Sequence, residues 1–218
     1  MSLSYEVVYF AIHGRAEPIR LLLTLAGQTF EDHAVTRDTW PSLKEQMPLG
    51  QMPVLIERDG AHERRIPQSQ AILRYLARRY GLYGKSEDEM VQADVVADTV
   101  VDLNGTLSPL LFGKDRGNPE ALAKHFAEVW PVYARRLERL LDHNPHKGGV
   151  FFAGSLPTFA DVAAYQGLHA HVTLSPGCLD GHPRLRAFHD AMEALPAWQD
   201  YLARRRAHEA VALLQRAG

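Results

Sequence analysis

A change in hydrophobic spacing near residue 80 constrains the fold of this chain more than any other feature of its sequence. Before that point, segments with strand and helix character alternate, and after it nearly every apolar segment has helical spacing. Alternation predicts an α/β unit, and a run of helices predicts an all-helical one. The sequence therefore predicts an α/β domain over 1–80, a linker over 81–84 and an all-helical domain over 85–218.

The α/β domain is expected to contain a mixed sheet. Apolar, β-branched and aromatic residues predict a buried strand at Tyr5–Phe10, followed by an amphipathic helix over Arg15–Ala26 and a strand within Thr29–Thr36. Asp59-Gly60 is a hairpin signal, and Gln68–Tyr80 has the spacing of a helix. Since a hairpin is antiparallel and a β-α-β crossover is long enough to be parallel, both strand orientations are predicted.

Five helices are predicted in the second domain. Thr158 and Asp161 have the spacing of a capping box at the start of the third. The run Arg204–Arg206 is interpreted as a solvated helix end. The predicted helices are Glu87–Phe112, Glu120–Leu141, Phe159–Leu174, Arg184–Leu195 and Trp198–Arg206.

Charge and composition narrow the classes of partner. The chain has 218 residues, with 24 basic and 26 acidic side chains, a balance unlike that of a nucleic-acid-binding protein. Its single cysteine, Cys178, favours a reducing compartment, so the cytoplasm is expected. We expect neither membrane insertion nor export, because we find no apolar run near 20 residues and no signal-like N-terminus. Partners are expected among small molecules and proteins.

Three local features are compatible with a bound ligand, although each has a purely structural alternative. Tyr9 ends the first strand, where its hydroxyl could stabilise an anion or its ring could serve packing alone. Pro53 precedes a strand and could hold extended backbone for a peptide, or simply begin an edge strand. Gln68-Ser69 begins a helix and could receive a carboxylate, or Ser69 could cap its own helix.

Other chemistries have weaker support. The sequence contains no Gly-x-Ser-x-Gly elbow, no phosphate-binding Gly-x-x-x-x-Gly-Lys loop and no Cys-x-x-Cys pair. His169 and His171 are two residues apart on a predicted helix and so point to different faces. No metal site is predicted.

Six motifs are distributed over nearly the whole chain. They are Val7-Val8-Tyr9-Phe10, Gly14-Arg15-Ala16-Glu17, Gly50-Gln51-Met52-Pro53, Gln68-Ser69 with Ala71-Ile72-Leu73-Arg74, Gly81-Leu82-Tyr83-Gly84-Lys85, and Leu174-Ser175-Pro176-Gly177-Cys178-Leu179-Asp180. Taken together, they resemble the cytosolic glutathione transferases of the tyrosine type, most closely the pi class with some sigma-like features.

The resemblance implies a thioredoxin-like N-terminal domain with a four-stranded mixed sheet, a C-terminal helical bundle and a homodimer. It gives Tyr9 and Arg15 the catalytic roles, with the Tyr9 hydroxyl donating to the glutathione sulfur. The implied glutathione-binding residues are Trp40, Lys44, Gln51, Met52, Pro53, Gln68, Ser69 and Asp102, and the implied electrophile site is formed by Phe10, Ile12, Ser108 and Phe112.

The implied activity is conjugation of glutathione to hydrophobic electrophiles, with glutathione as co-substrate and no cofactor. Two alternatives stay open: a non-catalytic carrier of glutathione or hydrophobic ligands, and an isomerase that uses glutathione without consuming it. One departure concerns the dimer. The pi class has an aromatic key before Gly-Gln, and this chain has Leu49 there.

Overall fold

The computed structural model describes residues 3–214 and the side chains of residues 3–206. The chain divides into two compact units between Tyr80 and Gly81. The second unit is Gly81–Glu193, and residues 194–214 belong with the first unit. The division near residue 80 coincides with the predicted domain boundary. The C-terminal segment, in contrast, lies outside the compact helical unit, although the sequence predicted it within the domain over 85–218.

The first unit contains a four-stranded sheet with the predicted element order. Its helices are α1 at Glu17–Leu25, α2 at Trp40–Lys44 and α3 at Ser69–Arg79, and a 3-10 turn at Gly14–Ala16 precedes α1. The strands are β1 at Ser4–Phe10, β2 at Glu31–Val35, β3 at Val54–Asp59 and β4 at His62–Pro67. The sheet order is β2-β1-β3-β4.

Strand orientation follows from the connections. β1 and β2 are parallel, with Tyr9 opposite Ala34, because α1 crosses over between them. β3 pairs antiparallel with both β1 and β4, and the turn after Asp59 forms the predicted hairpin. Val8, Val54 and Ile56 are buried in the core that the sheet forms. The mixed four-stranded sheet predicted from the sequence is therefore confirmed.

Specific contacts explain why the C-terminal segment belongs with the first unit. The segment has a 3-10 turn at Pro196–Trp198 followed by α9 at Gln199–Leu214. The Trp198 indole is fully buried and donates to the Leu21 carbonyl at 3.1 Å. The buried Glu17 carboxylate accepts a hydrogen bond from Tyr201 at 2.9 Å, and Arg205 lies 3.2 Å from it. Arg205 is thus buried, and the prediction of a solvated helix end is wrong at that residue.

The second unit is helical, as predicted. Its helices are α4 at Glu87–Phe112, α5 at Pro119–Lys124, α6 at Trp130–Asp142, α7 at Phe159–Leu174 and α8 at Pro183–Glu193. The predicted helix over Glu120–Leu141 is interrupted, since a π-helical turn at His125–Val129 separates α5 from α6. The predicted capping box is present, and Asp161 also accepts a hydrogen bond from the Phe152 amide at 2.7 Å.

By length and composition alone, α4 could cross a membrane, which the sequence analysis did not expect. An 18-residue window of it has a mean hydropathy of 1.2, and 28% of that window is buried. Asp98 and Asp102 are nevertheless exposed along it, and carboxylates are costly inside a lipid bilayer.

Candidate active site

Tyr9 lies at the carboxyl end of β1, where the chain leaves the sheet. The residue is 9% exposed, and its hydroxyl oxygen accepts a hydrogen bond from the Arg15 amide at 3.4 Å. Because the oxygen accepts from the backbone, the O–H group can donate to a further acceptor. A neutral phenol held in this way can stabilise a developing or full negative charge.

Gly14 determines how closely the loop after β1 approaches that hydroxyl. Its φ is +45°, a left-handed conformation that favours glycine. A Cβ atom at this position would lie 2.8 Å from the Tyr9 hydroxyl oxygen and 2.9 Å from the ring atom Cε1. Residue 14 must therefore be glycine for Tyr9 to keep its position.

Arg20 anchors the loop between β1 and α1 through the backbone of Ile12. Its buried guanidinium donates to the Ile12 carbonyl at 3.0 Å and lies 3.2 Å from Glu17 and 3.0 Å from Asp32. Burial alone would lower the pKa of Arg20, but the two carboxylates outweigh it and raise the pKa. The loop that carries Arg15 is thus anchored by a permanently charged side chain.

A small cleft brings together most of the first-unit residues that the sequence analysis selected. It is lined by Arg15, Leu49, Gln51, Met52, Pro53, Pro67, Gln68 and Ser69. The Met52–Pro53 peptide bond is cis. The cleft therefore combines the backbone before β3, the start of α3 and one cationic side chain.

Gln68 has the most unusual backbone conformation of the cleft. Its φ of 72° makes it the only non-glycine residue with positive φ among residues 3–214. Such conformations cost of order 1–3 kcal/mol and concentrate at functional sites. Gln68 occupies the N-cap position of α3 and makes no side-chain capping bond, while Ser69 is the first helical residue. Because Ser69 does not occupy the cap, the alternative that it merely caps its helix loses support.

Trp40 and Lys44, both on α2, do not line that cleft but lie near residues that adjoin it. The Trp40 ring packs edge-on against Phe10 at 6.0 Å and contacts the sheet core together with Met52. A Cβ atom built at Gly50 would lie 3.6 Å from Cε of Lys44, which places the lysine stem beside Gly50-Gln51.

The remaining predicted residues are divided between the two units. Phe10 and Ile12 are half-buried in the first unit. Asp102, Ser108 and Phe112 belong to α4 of the second, where Asp102 is exposed and Phe112 is 59% exposed.

Three contributors to the site were not identified in advance as functional. Gly14 was noted only as part of a loop and a motif, although a glycine after a predicted strand signals close backbone approach. Leu49 was noted only for the dimer, as the residue at the position of the family's aromatic key, and no local sequence pattern indicates Pro67; both line the cleft. The cleft thus offers helix-start amides for an anion and backbone for a peptide. Tyr9, whose hydroxyl is bonded to the amide of the cleft residue Arg15, offers a donor for an anionic sulfur.

Comparison with known proteins agrees with this arrangement. Two family models match, the glutathione S-transferase N-terminal domain over residues 5–78 and its C-terminal domain over 101–205. Glutathione S-transferase P of Caenorhabditis elegans is 35% identical over 205 residues, covering 94% of this chain and 95% of that protein.

Solved structures give the same result. The pi-class glutathione S-transferase of Onchocerca volvulus superposes with a TM-score of 0.85 at 33% identity, covering 94% of this chain and 95% of that one. A monomeric glutathione S-transferase from the hookworm Necator americanus superposes with a TM-score of 0.82 at 29% identity, covering 93% and 97%. This chain belongs to the glutathione S-transferase family, and the reaction it catalyses is glutathione conjugation.

Proposed function

We propose that Tyr9 activates glutathione in this transferase by donating its hydroxyl hydrogen to the sulfur. The observation that carries the proposal is the Tyr9 hydroxyl at the end of β1, which accepts from the Arg15 amide and faces the glycine at position 14. A donor to the thiolate favours ionisation, and the thiolate is the reactive form of a thiol that otherwise titrates near pH 8.5. Arg15 adds positive potential beside it. The nucleophile belongs to glutathione.

The cleft supports a specific orientation of the tripeptide. We assign the γ-glutamyl carboxylate to Gln68 and Ser69, because the uncapped first turn of α3 presents amides and the positive end of the helix. The cysteinyl backbone is assigned to Gln51, Met52 and Pro53, where the chain enters β3. Trp40 and Lys44 are assigned to the glycyl carboxylate, and Asp102 to the glutathione of a partner subunit.

The variant Tyr9→Phe tests the catalytic assignment. Loss of one positioned donor to an anion costs about 10²–10³ in turnover in comparable sites. We expect that loss for conjugation of a chlorodinitrobenzene substrate, together with a thiol pKa in the enzyme–glutathione complex that returns toward about 8.5. Tyr133→Phe, which removes a hydroxyl from a half-buried tyrosine of the second unit, is the matched control. Full activity and an unchanged thiol pKa in Tyr9→Phe would refute the assignment.

The second substrate is proposed to be a soft, hydrophobic electrophile. The resemblance assigns it to Phe10, Ile12, Ser108 and Phe112, three of which are apolar. Replacing Phe112 by Ala is expected to raise KM for bulky electrophiles while KM for glutathione stays unchanged. An equal change in both KM values would contradict the assignment.

A homodimer is proposed through the exposed face of α4. Met90, Val91, Val95 and Val101 are 40–57% exposed there, and helical spacing of 100° per residue places them within one face about 140° wide. Asp98 and Asp102 lie on the same face, which suits a partner surface with basic side chains. Leu49, at the position of the family's aromatic key, is 54% exposed and available to the same assembly.

We further propose a cytoplasmic enzyme that needs no cofactor besides its co-substrate.

A further inference from the structure

Two histidines and a glutamate from neighbouring helices converge in the second unit, and none of them is among the residues assigned above. His169 lies on α7, and His189 and Glu193 lie one turn apart on α8. Each offers one ligand atom, and these atoms all lie within 4.8 Å of one another. Nδ1 of His169 is 3.5 Å from Oε1 of Glu193, and Nε2 of His189 is 3.9 Å from the same oxygen.

His189 is the member whose surroundings point to a ligand. The residue is 8% exposed, and its Nε2 has no hydrogen-bond partner among the residues that the structure describes. An orphaned buried polar atom is unfavourable unless something occupies it. Its other ring nitrogen, Nδ1, lies 3.5 Å from the Asp190 carboxylate. A carboxylate at Nδ1 favours the tautomer that leaves a lone pair on Nε2, toward Glu193.

We propose that His169, His189 and Glu193 bind one divalent zinc-class metal ion. Zinc bonds to imidazole nitrogen and carboxylate oxygen at about 2.0–2.2 Å, so tetrahedral ligands are separated by about 3.4 Å. The separations of 3.5 and 3.9 Å from the Glu193 oxygen are close to that value, and the three ligand atoms all lie within 4.8 Å of one another. Three protein ligands leave a fourth position for water, the donor arrangement of an open zinc site.

The surrounding groups support the same assignment. Tyr165 lies one turn before His169 on α7, and its hydroxyl donates to Oε1 of Glu193 at 2.9 Å. Hydrogen bonds of this kind orient a ligating carboxylate. Because the ligands come from two helices, a bound ion would join α7 to α8 directly. His171, the neighbour considered in the sequence analysis, points elsewhere and donates to or accepts from His125.

Titration of the untagged, chelator-treated protein with Zn²⁺ tests the proposal, with glutathione omitted because its thiol also binds zinc. We expect one saturable site per chain by calorimetry, a tetrahedral Co²⁺ absorption spectrum and a higher unfolding temperature with metal. His169→Gln, His189→Gln and Glu193→Gln should each weaken binding at least about tenfold and remove the Co²⁺ spectrum. His146→Gln, which alters a histidine outside the cluster whose Nε2 lies 2.6 Å from Glu89, should change neither.

Three results would overturn the proposal: no site of unit stoichiometry, a Co²⁺ spectrum without tetrahedral character, or wild-type affinity in any one of the three ligand variants. Should His189→Gln fail to fold, His169→Gln and Glu193→Gln decide the matter, since their side chains are more exposed, at 15% and 26%. Tyr165→Phe adds an independent check, because it retains the ring and removes the hydroxyl that donates to Glu193 and lies 3.5 Å from Nδ1 of His169. Its affinity should lie between those of the wild type and Glu193→Gln.

Discussion

Replacing Gly14 by alanine is expected to displace the Tyr9 hydroxyl without removing it, so the variant tests whether the position of that hydroxyl matters. The new methyl group would lie 2.8 Å from the hydroxyl oxygen, whereas ordinary contacts begin near 3.4 Å. Tyr9 or the loop must therefore move by about 0.6 Å to remove the overlap. The left-handed φ of +45° adds a backbone cost of about 1–2 kcal/mol for any residue with a Cβ.

The displacement sets the expected loss of activity. A misplacement of about 1 Å costs about 10²-fold in rate, so a shift of about 0.6 Å corresponds to roughly a tenfold loss of kcat/KM. Gly27→Ala is the matched control. Gly27 also has a left-handed φ, +67°, but a Cβ there meets nothing within 4 Å. Both variants are expected to lose about 1–2 kcal/mol of stability, and only Gly14→Ala should lose activity.

Initial rates of glutathione conjugation to a chlorodinitrobenzene substrate, measured beside urea unfolding of both variants, provide the assay. Equal kcat/KM values in Gly14→Ala and Gly27→Ala would refute the reasoning, because the hydroxyl could then be displaced without consequence. A large loss in Gly27→Ala would refute it as well, since backbone strain alone would explain the effect.

Three further predictions test other parts of the molecule. Ser69→Ala should raise KM for glutathione about 10- to 150-fold with kcat unchanged, because a hydrogen bond to a carboxylate contributes about 1.5–3 kcal/mol to binding throughout the reaction. Steady-state kinetics measures both constants. Val95→Glu should convert a dimer to a monomer in light scattering. Leu156→Glu, at an apolar residue outside α4 that is 60% exposed against 45% for Val95, should not. Asp161→Ala should lose about 2–5 kcal/mol in urea unfolding because buried donors lose their acceptor, against less than about 1 kcal/mol for Asp180→Ala. Burial raises the pKa of Asp161 from 3.8 to about 6. Between these two pH values the folded state binds a proton that the unfolded state does not, so the contribution of Asp161 to stability falls as pH rises from about 4 to 6. Asp161→Ala should lack this fall in stability.

The sequence predicted best where spacing and capping agree. The bounds of α4 and α7 are as predicted, because an acidic first turn begins one and the Thr158 capping box begins the other. The interruption at His125–Val129 was missed, since helical apolar spacing continues across it and a π turn leaves no distinct local pattern. Burial of Arg205 was missed because its partner, Glu17, is distant in sequence.

For the candidate site, the sequence predicted which residues take part but not the backbone geometry that positions them. Tyr9, Pro53 and Gln68-Ser69 each mark the end or start of an element, so local rules could select them and the family motifs could connect them. The conformation of Gln68 and the closeness of Gly14 to Tyr9 depend on packing between segments that no local pattern specifies. The roles of all these residues in binding and catalysis stay predictions until the variants are measured.

The contacts between α9 and α1 have a consequence for how the chain folds during synthesis. Glu17 contacts Tyr201 and Arg205, and the Leu21 carbonyl accepts from Trp198. These partners exist only after the whole helical unit has been translated. At 5–20 residues per second, the ribosome delivers those partners on the order of ten seconds after residue 80. During that interval the Glu17 carboxylate has Arg20 as its partner within the sheet unit but lacks Tyr201 and Arg205, so its set of polar contacts is incomplete. The first unit to be synthesised is therefore the last to be completed.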